Sequence, residues 1–452
     1  MRPALPDGPY LVVGLARSGV GAARALRARA QEVIGFDAAE ASATAEQLRG
    51  DGVRVVCGGS GVELLAGVGC VVKSPGVPRE APVIAAALER GIPLLGEMEL
   101  AWRLLSQQFI AVTGTNGKTT TVELIGAIHR AAGLPVEVAG NVGRALSELT
   151  LAPLAHETTI VCEASSFQLE DTLAFAPEAA VLLNLTEDHL DRHHTLDSYK
   201  EAKLRIFASQ HEEAIAVLPE TLVAYGPGWS APSAGGPLEQ LPGRAERVLF
   251  GVTEDCALRL VGGVLRWHGQ ELIDTDRLGA RGPVGNSMAA AAVTLARGVP
   301  IDAVREALSA FRGVAHRLEQ IATIDGVLYV NDSKATNVAS TLVALAAFDP
   351  ASVLLILGGQ GKAQDFRPLR EAVAAAAVHT YLIGEDADQI ASALDGLAVT
   401  VAGTLERAVE LARAAAAPGM VVLLSPACAS FDQYTDFEAR GEAFKLFVTG
   451  QA

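Results

Sequence analysis

The sequence predicts an α/β protein of three domains, each built around a mainly parallel sheet. Two observations predict this class. Short runs typical of buried strands alternate with alanine-rich helical patterns along the chain, as expected for β-α-β units. The length of 452 residues corresponds to about three domains of ordinary size. We place the boundaries near residues 93 and 313, which gives domains 1–93, 94–313 and 314–452.

Composition argues against several kinds of partner. The chain carries 36 Lys and Arg residues against 52 Asp and Glu residues, a net charge of -16, so we expect no nucleic acid partner. No apolar run reaches the roughly 18 residues of a membrane span, so we expect no membrane insertion. The five cysteines are odd in number and lie mostly in apolar, strand-like runs, which indicates reduced thiols and a cytoplasmic location.

The N-terminal domain begins with a β-α-β pattern of Rossmann type. A buried strand at residues 10–14 enters a glycine-containing turn and a helix, and a second strand ends at Asp37. The glycine spacing is not G-x-G-x-x-G, so the standard NAD fingerprint is absent. Asp37 either holds a ribose hydroxyl or faces water at a strand end. A later strand leads into Ser74-Pro75-Gly76, which either binds the nucleotide part of a substrate or is a plain turn.

The central domain begins with a phosphate-binding pattern. An apolar run at residues 109–112 precedes the loop, and a helical pattern follows it. The loop residues that we expect to bind ATP phosphates are Gly114, Thr115, Asn116, Gly117, Lys118, Thr119 and Thr120. Lys118 can reach the β- and γ-phosphates, and the Thr119 hydroxyl can bind Mg²⁺. Val112 stands where the usual pattern has its first glycine, so this loop is a shorter variant on a P-loop ATPase-type parallel sheet.

Further candidates follow the next strands of this domain. Glu163 ends an apolar run and can reach Mg²⁺ directly or through water, or it is an ordinary edge carboxylate. Residues 186–194 are rich in acids and histidines, but neighbours on one loop rarely all converge on a metal. We therefore expect one or two of them to be functional, with His189 the best candidate. From the residues alone, Lys203 is a half-buried helix lysine.

The C-terminal domain is predicted to be a doubly wound Rossmann-like sheet. Its strand-like runs at 327–330, 352–357 and 421–424 are followed by polar loops at 331–337, 358–362 and 425–432. At this level a kinase, a motor ATPase and an ATP-dependent ligase all remain open. Ligation through an acyl phosphate requires cations, since a carboxylate about 4 Å from a phosphate charge costs roughly 4 kcal/mol at an effective dielectric of about 20. Lys118, Mg²⁺ and Lys334 could supply that charge.

Five motifs in order along the whole chain resemble the Mur ligase family, and the last two resemble its D-glutamate-adding members. They are the segments 113–120, 186–191, 316–317, 331–337 and 425–433. The resemblance implies an enzyme of peptidoglycan precursor synthesis. It would join D-glutamate to UDP-N-acetylmuramoyl-L-alanine with ATP, through an acyl phosphate. We expect it to act as a monomer. It also implies two Mg²⁺ ions and a carbamylated Lys203.

The resemblance assigns roles to single residues. Those implied to bind the UDP-substrate are Leu15, Ala16, Arg17, Asp37, Ser74, Gly76, Asn141 and Ser165. Asn286, Arg317 and Asp332 would join the loop in binding ATP. The implied metal ligands are Thr119, Glu163, His189 and carbamylated Lys203. Those implied to bind D-glutamate are Thr336, Lys362, Ser430 and Phe437. Lys118, Lys203, His189 and Lys334 would be catalytic.

Two departures from the family pattern bear on substrate binding. Gln360 stands where relatives often carry an acid, and the adenine-side pattern H-N-x-x-N is reduced to Asn286. Two alternatives remain open. One is a related Mur or folylpolyglutamate-type ligase that adds another amino acid, and the other is a non-catalytic nucleotide-binding regulator.

Overall fold

The computed structural model describes residues 2–40, 43–186, 188–220, 241–279, 283–361 and 364–450. Within these residues the chain forms three sheets, of five, nine and six strands. The chain divides into two compact units, of which the first comprises Met1–Arg277 with Val284–Leu308 and the second Leu278–Pro283 with Ser309–Ala452. The first two sheets lie in the first unit and the third sheet lies in the second. The predicted three-part α/β architecture is confirmed.

The N-terminal sheet has the predicted Rossmann-like form. Its elements are β1 (Tyr10–Val13), α1 (Arg17–Arg27), β2 (Val33–Asp37), α2 (Ala43–Gly50), β3 (Arg54–Cys57), β4 (Cys70–Lys73), α3 (Pro82–Glu89), β5 (Leu94–Gly96) and α4 (Glu97–Leu104). The strands are parallel in the order β3-β2-β1-β4-β5. Alternate β1 side chains enter two apolar cores, one on each face. Because β5 pairs with β4, this sheet extends beyond residue 93.

The central sheet is mainly parallel. Its elements are β6 (Gln108–Thr113), α5 (Lys118–Ala131), β7 (Val136–Gly140), β8 (Thr159–Glu163), α6 (Ser166–Leu169), β9 (Ala179–Leu182), α7 (Leu190–His193), α8 (Leu196–Ala208), β10 (Ile215–Pro219), β11 (Glu246–Gly251), β12 (Leu258–Val261), β13 (Val264–Trp267), β14 (Gln270–Asp274), α9 (Val284–Ala296) and α10 (Ile301–Ala310). The strand order is β14-β13-β12-β11-β10-β9-β6-β8-β7. The phosphate loop thus leaves a strand near the middle of the sheet.

One edge of the central sheet departs from the predicted parallel arrangement. Strands β12, β13 and β14 pair antiparallel. The reason is local, because two-residue links join them: Gly262-Gly263 and His268-Gly269, all four with positive φ. Such links favour tight hairpin turns, whereas a parallel crossover needs a longer connection. The predicted mainly parallel sheet is therefore confirmed, and the sequence analysis did not identify this antiparallel edge.

The C-terminal sheet is doubly wound, as predicted. Its elements are β15 (Glu319–Ile324), β16 (Val327–Asn331), α11 (Val338–Leu345), β17 (Val353–Gly358), α12 (Leu369–Ala376), β18 (Ala377–Ile383), α13 (Ala387–Ala393), β19 (Val399–Gly403), α14 (Leu405–Ala415), β20 (Val421–Leu424) and α15 (Phe437–Thr449). The order is β15-β16-β20-β17-β18-β19, parallel except for β15. Helices α11 to α13 cover one face, and α14 and α15 cover the other.

The cysteine and membrane expectations can be compared with the structure. All five cysteines are free thiols, and all except the half-buried Cys57 are buried. Across the described ranges, no helix combines the length and the apolar character needed to cross a bilayer.

Loops at the carboxyl edge of the third sheet pack tightly against one another. A Cβ atom on Gly384 would lie 2.3 Å from Asp432 Oδ2 and 2.5 Å from Gly359 Cα. These three residues follow β18, β20 and β17 in turn. Gly384 therefore permits the close approach of three strand-end loops.

We predict that Gly384→Ala destabilises the second unit more than Gly403→Ala does. Both glycines have φ near +80° (+76° and +80°), so both variants carry the same cost of a left-handed alanine. A Cβ on Gly403 meets nothing within 4 Å, whereas one on Gly384 meets backbone. Overpacking should add about 1–3 kcal/mol at Gly384, measurable by urea unfolding. Equal losses in the two variants would contradict this packing.

Candidate functional site

The phosphate loop closes over the start of α5. Gly114 and Gly117 adopt φ of +151° and +86°, values that favour glycine. The Lys118 ammonium donates to the carbonyl oxygens of Gly114 (2.9 Å) and Thr115 (2.8 Å). The first turn of α5, which includes Thr120, leaves N–H groups without intrahelical acceptors. The loop therefore combines a helix N-terminus and an ammonium group, which suits an anion.

Residues that follow β9 in the chain hold this loop in place through hydrogen bonds. The Asn184 side chain accepts from Asn116 N (2.9 Å) and donates to Asn116 O (3.0 Å). The Thr115 hydroxyl donates to Thr186 O (3.1 Å) and accepts from Tyr199 OH (3.2 Å). Sequence reasoning assigned no role to Asn184 or Tyr199. The available signal was a polar residue directly after a buried strand.

Asn286 also lies against the loop. A Cβ atom on Gly117 would be 2.1 Å from Asn286 Oδ1, so the asparagine side chain occupies the space beside this glycine. Asn286 belongs to α9, which packs on α5. The structure thus places the residue that remains of the adenine-side motif next to the phosphate loop.

A buried carboxylate faces the loop from β8. Glu163 is 2% exposed, and its Oε2 accepts from the Thr119 hydroxyl at 2.7 Å. Its Oε1 accepts from the Asn141 amide at 3.0 Å. A hydroxyl and a carboxylate held together at a phosphate loop are oxygen ligands of the kind that Mg²⁺ takes, with water and phosphate oxygens completing the set. The residues present at this point therefore fit a magnesium ion.

Lys203 is more deeply buried than expected. The prediction of a half-buried lysine was wrong, because the residue is 2% exposed. Its ammonium donates to Gly114 O at 2.8 Å and lies 4.6 Å from the Tyr199 ring centroid. Burial, followed by the charge of Lys118, lowers the pKa of Lys203 well below its ordinary value, against the opposing effect of Asp188 and Glu163. The shift favours the neutral amine over the ammonium form.

His189 lies at the solvent side of this region. Its side chain is 48% exposed, and its ring meets Phe167 edge to face with centroids 4.8 Å apart. No three carboxylate, imidazole or thiol groups converge as a metal cluster anywhere in the described part of the chain. His193, by contrast, is buried and its Nε2 lies 2.9 Å from Ser166 Oγ. Glu187 lies outside the described residues.

The carboxyl edge of the first sheet gathers the predicted nucleotide-binding residues. Asp37 accepts from Leu15 N (2.7 Å) and Ala39 N (3.0 Å), so its carboxylate fixes the first turn. The Ser74 hydroxyl donates to Gly14 O at 2.6 Å. These contacts bring the ends of β1, β2 and β4 together and define one edge for a ligand.

Three other predicted residues follow the strands at this edge: Ala16, Arg17 and Gly76. Ala16 and Arg17 are exposed, and a Cβ on Gly76 would meet nothing within 4 Å. Arg17 donates to Asn141 O at 3.4 Å, which links the edge to the Glu163 region of the central sheet. The Ser165 hydroxyl, however, forms the capping box of α6 with Gln168.

The third sheet brings a second set of predicted residues together. The buried Asp332 carboxylate accepts from Ser425 Oγ (2.8 Å) and Leu318 N (3.2 Å). Burial raises its pKa to about 7, against the lowering effect of these bonds and of the nearby Arg317 charge. The Lys334 ammonium lies 5.2 Å from the Phe437 ring centroid.

The structure gives less information on the other residues that were predicted to bind D-glutamate. Thr336 is half-buried in the loop after β16, and Ser430 is 3% exposed. Lys362 lies outside the described residues. Gln360 pairs through its backbone with Ala429, and its side-chain nitrogen lies 3.4 Å from Glu385 Oε2.

Three family descriptions match the chain in the order of its sheets. They are "Mur ligase MurD-like, N-terminal domain" at residues 9–96, "Mur ligase middle domain" at 112–225 and "Mur ligase, glutamate ligase domain" at 316–428. A UDP-N-acetylmuramoylalanine–D-glutamate ligase of Acidobacterium capsulatum is 40% identical over 450 residues, covering 97% of this chain and 95% of the relative. The chain belongs to the Mur ligase family.

Other comparisons agree with this membership. A relative of the same name from Anaeromyxobacter dehalogenans is 41% identical over 470 residues, covering 100% of this chain and 99% of its own. The solved UDP-N-acetylmuramate-alanine ligase of Thermotoga maritima has a TM-score of 0.60 at 17% identity, covering 99% of this chain and 100% of its own. That likeness concerns the Mur ligase fold.

Arg440 of this Mur ligase was missed by sequence reasoning. It is 1% exposed and donates to Ser333 Oγ (3.0 Å), Ser333 O (2.8 Å), Cys428 O (3.0 Å) and Ala429 O (3.3 Å). Burial lowers its pKa to about 10, so it stays charged at neutral pH. Arg440 ties the loops after β16 and β20 together. An arginine within a helical pattern gives no sequence signal for such a role.

We predict that Asp332→Asn removes a pH dependence of stability. The pKa of Asp332 is raised from an ordinary 3.8 to about 7 in the folded state, so its contribution is present below pH 3.8 and is lost as pH rises through 7. The free energy of unfolding of the variant minus that of wild type should therefore increase from pH 4 to 7, by up to about 4 kcal/mol. Urea unfolding at several pH values measures it, and a constant difference would contradict the raised pKa.

Proposed function

We propose that this Mur ligase joins D-glutamate to UDP-N-acetylmuramoyl-L-alanine with ATP, in peptidoglycan precursor synthesis. One observation carries the proposal: relatives bearing that ligase name are 40–41% identical along at least 97% of this chain. The site chemistry agrees, since a phosphate loop, a buried carboxylate and a buried lysine lie together. We further propose a monomer that acts in the cytoplasm, with domains divided near residues 93 and 313.

The central domain would bind ATP through its phosphate loop. Residues 114–120 and the start of α5 would hold the phosphates, with Asn286 beside the loop. Thr119, Glu163 and His189 would hold Mg²⁺, which supplies positive charge on the phosphate oxygens. A solved Mur ligase of Thermotoga maritima with a TM-score of 0.59 to this chain is in complex with ADP, and this supports nucleotide binding by the fold.

The first sheet would bind the uridine nucleotide at its carboxyl edge. The residues proposed for this are Leu15, Ala16, Arg17, Asp37, Ser74 and Gly76, with Asn141 and Ser165 from the central domain. Arg17 offers a cation for the diphosphate. Because the Ser165 hydroxyl already caps α6, we assign Ser165 a role in shaping the pocket as well as in contact.

The third domain would complete the reaction. The L-alanyl carboxylate attacks the γ-phosphorus of ATP, ADP leaves, and an acyl phosphate forms that Lys118 and Lys334 stabilise by charge. The amine of D-glutamate then attacks the acyl carbon and loses a proton, and inorganic phosphate leaves. Thr336, Lys362, Ser430 and Phe437 would hold D-glutamate, while Arg317 and Asp332 would contact the nucleotide.

We also propose that Lys203 is carbamylated. A neutral amine adds CO₂ to give a carbamate and a proton, and burial shifts Lys203 toward that neutral form. The product carries a negative charge near Lys118, where the free ammonium would be repelled. It would add an oxygen ligand for a second Mg²⁺.

We predict a carbamate carbon signal in wild-type protein incubated with ¹³C-bicarbonate, and none in Lys203→Arg, because a guanidinium stays protonated. Lys200→Arg on the same helix is the matched control and should keep the signal, since Lys200 lies outside the buried cluster. Turnover of Lys203→Arg should fall by several orders of magnitude. A signal that survives in Lys203→Arg would rule out this site.

The function is tested by phosphate release from purified protein. We expect release only when ATP, UDP-N-acetylmuramoyl-L-alanine and D-glutamate are all present, and we expect Lys118→Ala to abolish it, since the γ-phosphate loses its charge partner. Equal rates with L-alanine, a diamino acid or L-glutamate would assign a different ligase. No release with any amino acid would favour a nucleotide-binding regulator.

A further inference from the structure

A cluster of charged residues joins the nucleotide edge of the first sheet to the central sheet. Lys73, at the end of β4, is 0% exposed, and its ammonium lies 2.7 Å from Asp171 Oδ2 and 3.5 Å from Glu170 Oε1. It also donates to Val77 O at 2.8 Å. Arg79 lies 3.2 Å from Asp171 on the solvent side. The cluster therefore fixes the turn at residues 74–77 against the segment after α6.

Arg192 of α7 reaches the same turn. One of its terminal nitrogens donates to Val77 O at 3.0 Å and to Glu170 Oε1 at 2.8 Å. Its side chain is 16% exposed, so these bonds are largely shielded from water. Arg192, which lies 115 positions after Val77 in the chain, thus binds the turn from the central domain.

The turn at residues 74–77 belongs to the proposed uridine nucleotide site. Ser74 O accepts from Val77 N at 3.0 Å, and the Ser74 hydroxyl holds Gly14. A Cβ on Gly14 would lie 2.6 Å from Val77 Cγ2, so Val77 packs directly on the first glycine turn. A ligand that orders this turn therefore also fixes the carbonyl that Arg192 binds.

The other side of Arg192 leads to His189. The guanidinium carbon lies 4.8 Å from the Phe167 ring centroid, and that ring contacts His189 edge to face at 4.8 Å. Phe167 is also stacked on His193 at 5.4 Å and 18°. In addition, Arg192 N donates to His189 O at 3.1 Å. Arg192 thus contacts the environment of His189 through a ring and through the backbone.

We propose that Arg192 is a positioning residue that couples the 74–77 turn to His189. This rests on the proposed function, in which the turn binds the uridine nucleotide and His189 serves the Mg²⁺ site. A planar guanidinium can donate from its edge and pack its face on a ring at the same time, which a lysine ammonium cannot do. Nucleotide binding at the turn then holds Arg192, Phe167 and His189 in one arrangement. By linkage, each ligand raises the affinity for the other by the same factor.

The test is calorimetric binding of a non-hydrolysable ATP analogue with Mg²⁺, with and without UDP-N-acetylmuramoyl-L-alanine. The ratio of the two dissociation constants is the coupling factor, and it needs no turnover. We expect wild type to bind the analogue about 5- to 100-fold tighter when the UDP-substrate is present, the range usual for coupled sites. Arg192→Ala and Phe167→Leu should bring the factor close to 1.

Arg79→Ala is the matched control. It removes an ion pair to Asp171 from the same cluster but contacts neither Val77 O nor Phe167 through any described bond, so its coupling factor should equal that of wild type. Phe167→Leu keeps the test decisive if Arg192→Ala does not fold.

Three results would overturn the inference: no coupling in wild type, wild-type coupling in Arg192→Ala or Phe167→Leu, or an equal loss in Arg79→Ala. The last would mean that the charged cluster, and not the path through Arg192, carries the effect. Failure of the proposed function is seen separately, since the wild-type chain would then release no phosphate with D-glutamate.

Discussion

Two lysine ammonium groups share one carbonyl oxygen at the phosphate loop. Gly114 O accepts from Lys118 at 2.9 Å and from Lys203 at 2.8 Å. Like charges this close repel, and burial strengthens the repulsion. Three changes would reduce this repulsion: loss of a proton from one ammonium group, conversion of that amine to a carbamate, or binding of an anion beside the two groups. Burial is the largest cause of the lowered pKa of Lys203, and the charge of Lys118 adds to it.

Side chains from several segments of the central domain hold the phosphate loop and the Glu163 carboxylate in place. Asn184, Thr186 and Tyr199 fix the loop from the segments after β9, while Thr119 and Asn141 hold the Glu163 carboxylate. These bonds join residues that lie 22 to 84 positions apart in the sequence. The parallel sheet thereby sets the positions of the charges, and the loops provide the groups that bear them.

Sequence reasoning recovered what is encoded locally. The strand-loop-helix order, the alternation of strands and helices and the strand-end loops all follow from short-range patterns. The antiparallel edge at β12 to β14 was missed, although Gly262-Gly263 signalled a hairpin. The burial of Lys203 could not be predicted, since periodicity identifies a helical face but not what covers it. Arg440 and Lys73 were missed because their partners are about a hundred positions away.

The helix α4 has a consequence for how this protein can be recombined with its relatives. Leu100 belongs to the core of the first sheet, whereas Met98, Ala101 and Trp102 belong to the core of the second. The eight residues of α4 therefore contribute to two separate hydrophobic cores. A chimera cut near residue 93 would need compatible residues on both sides of that helix. A junction after Ala310, where α10 ends close to the boundary of the first compact unit, would allow the second unit to be exchanged without cutting a helix.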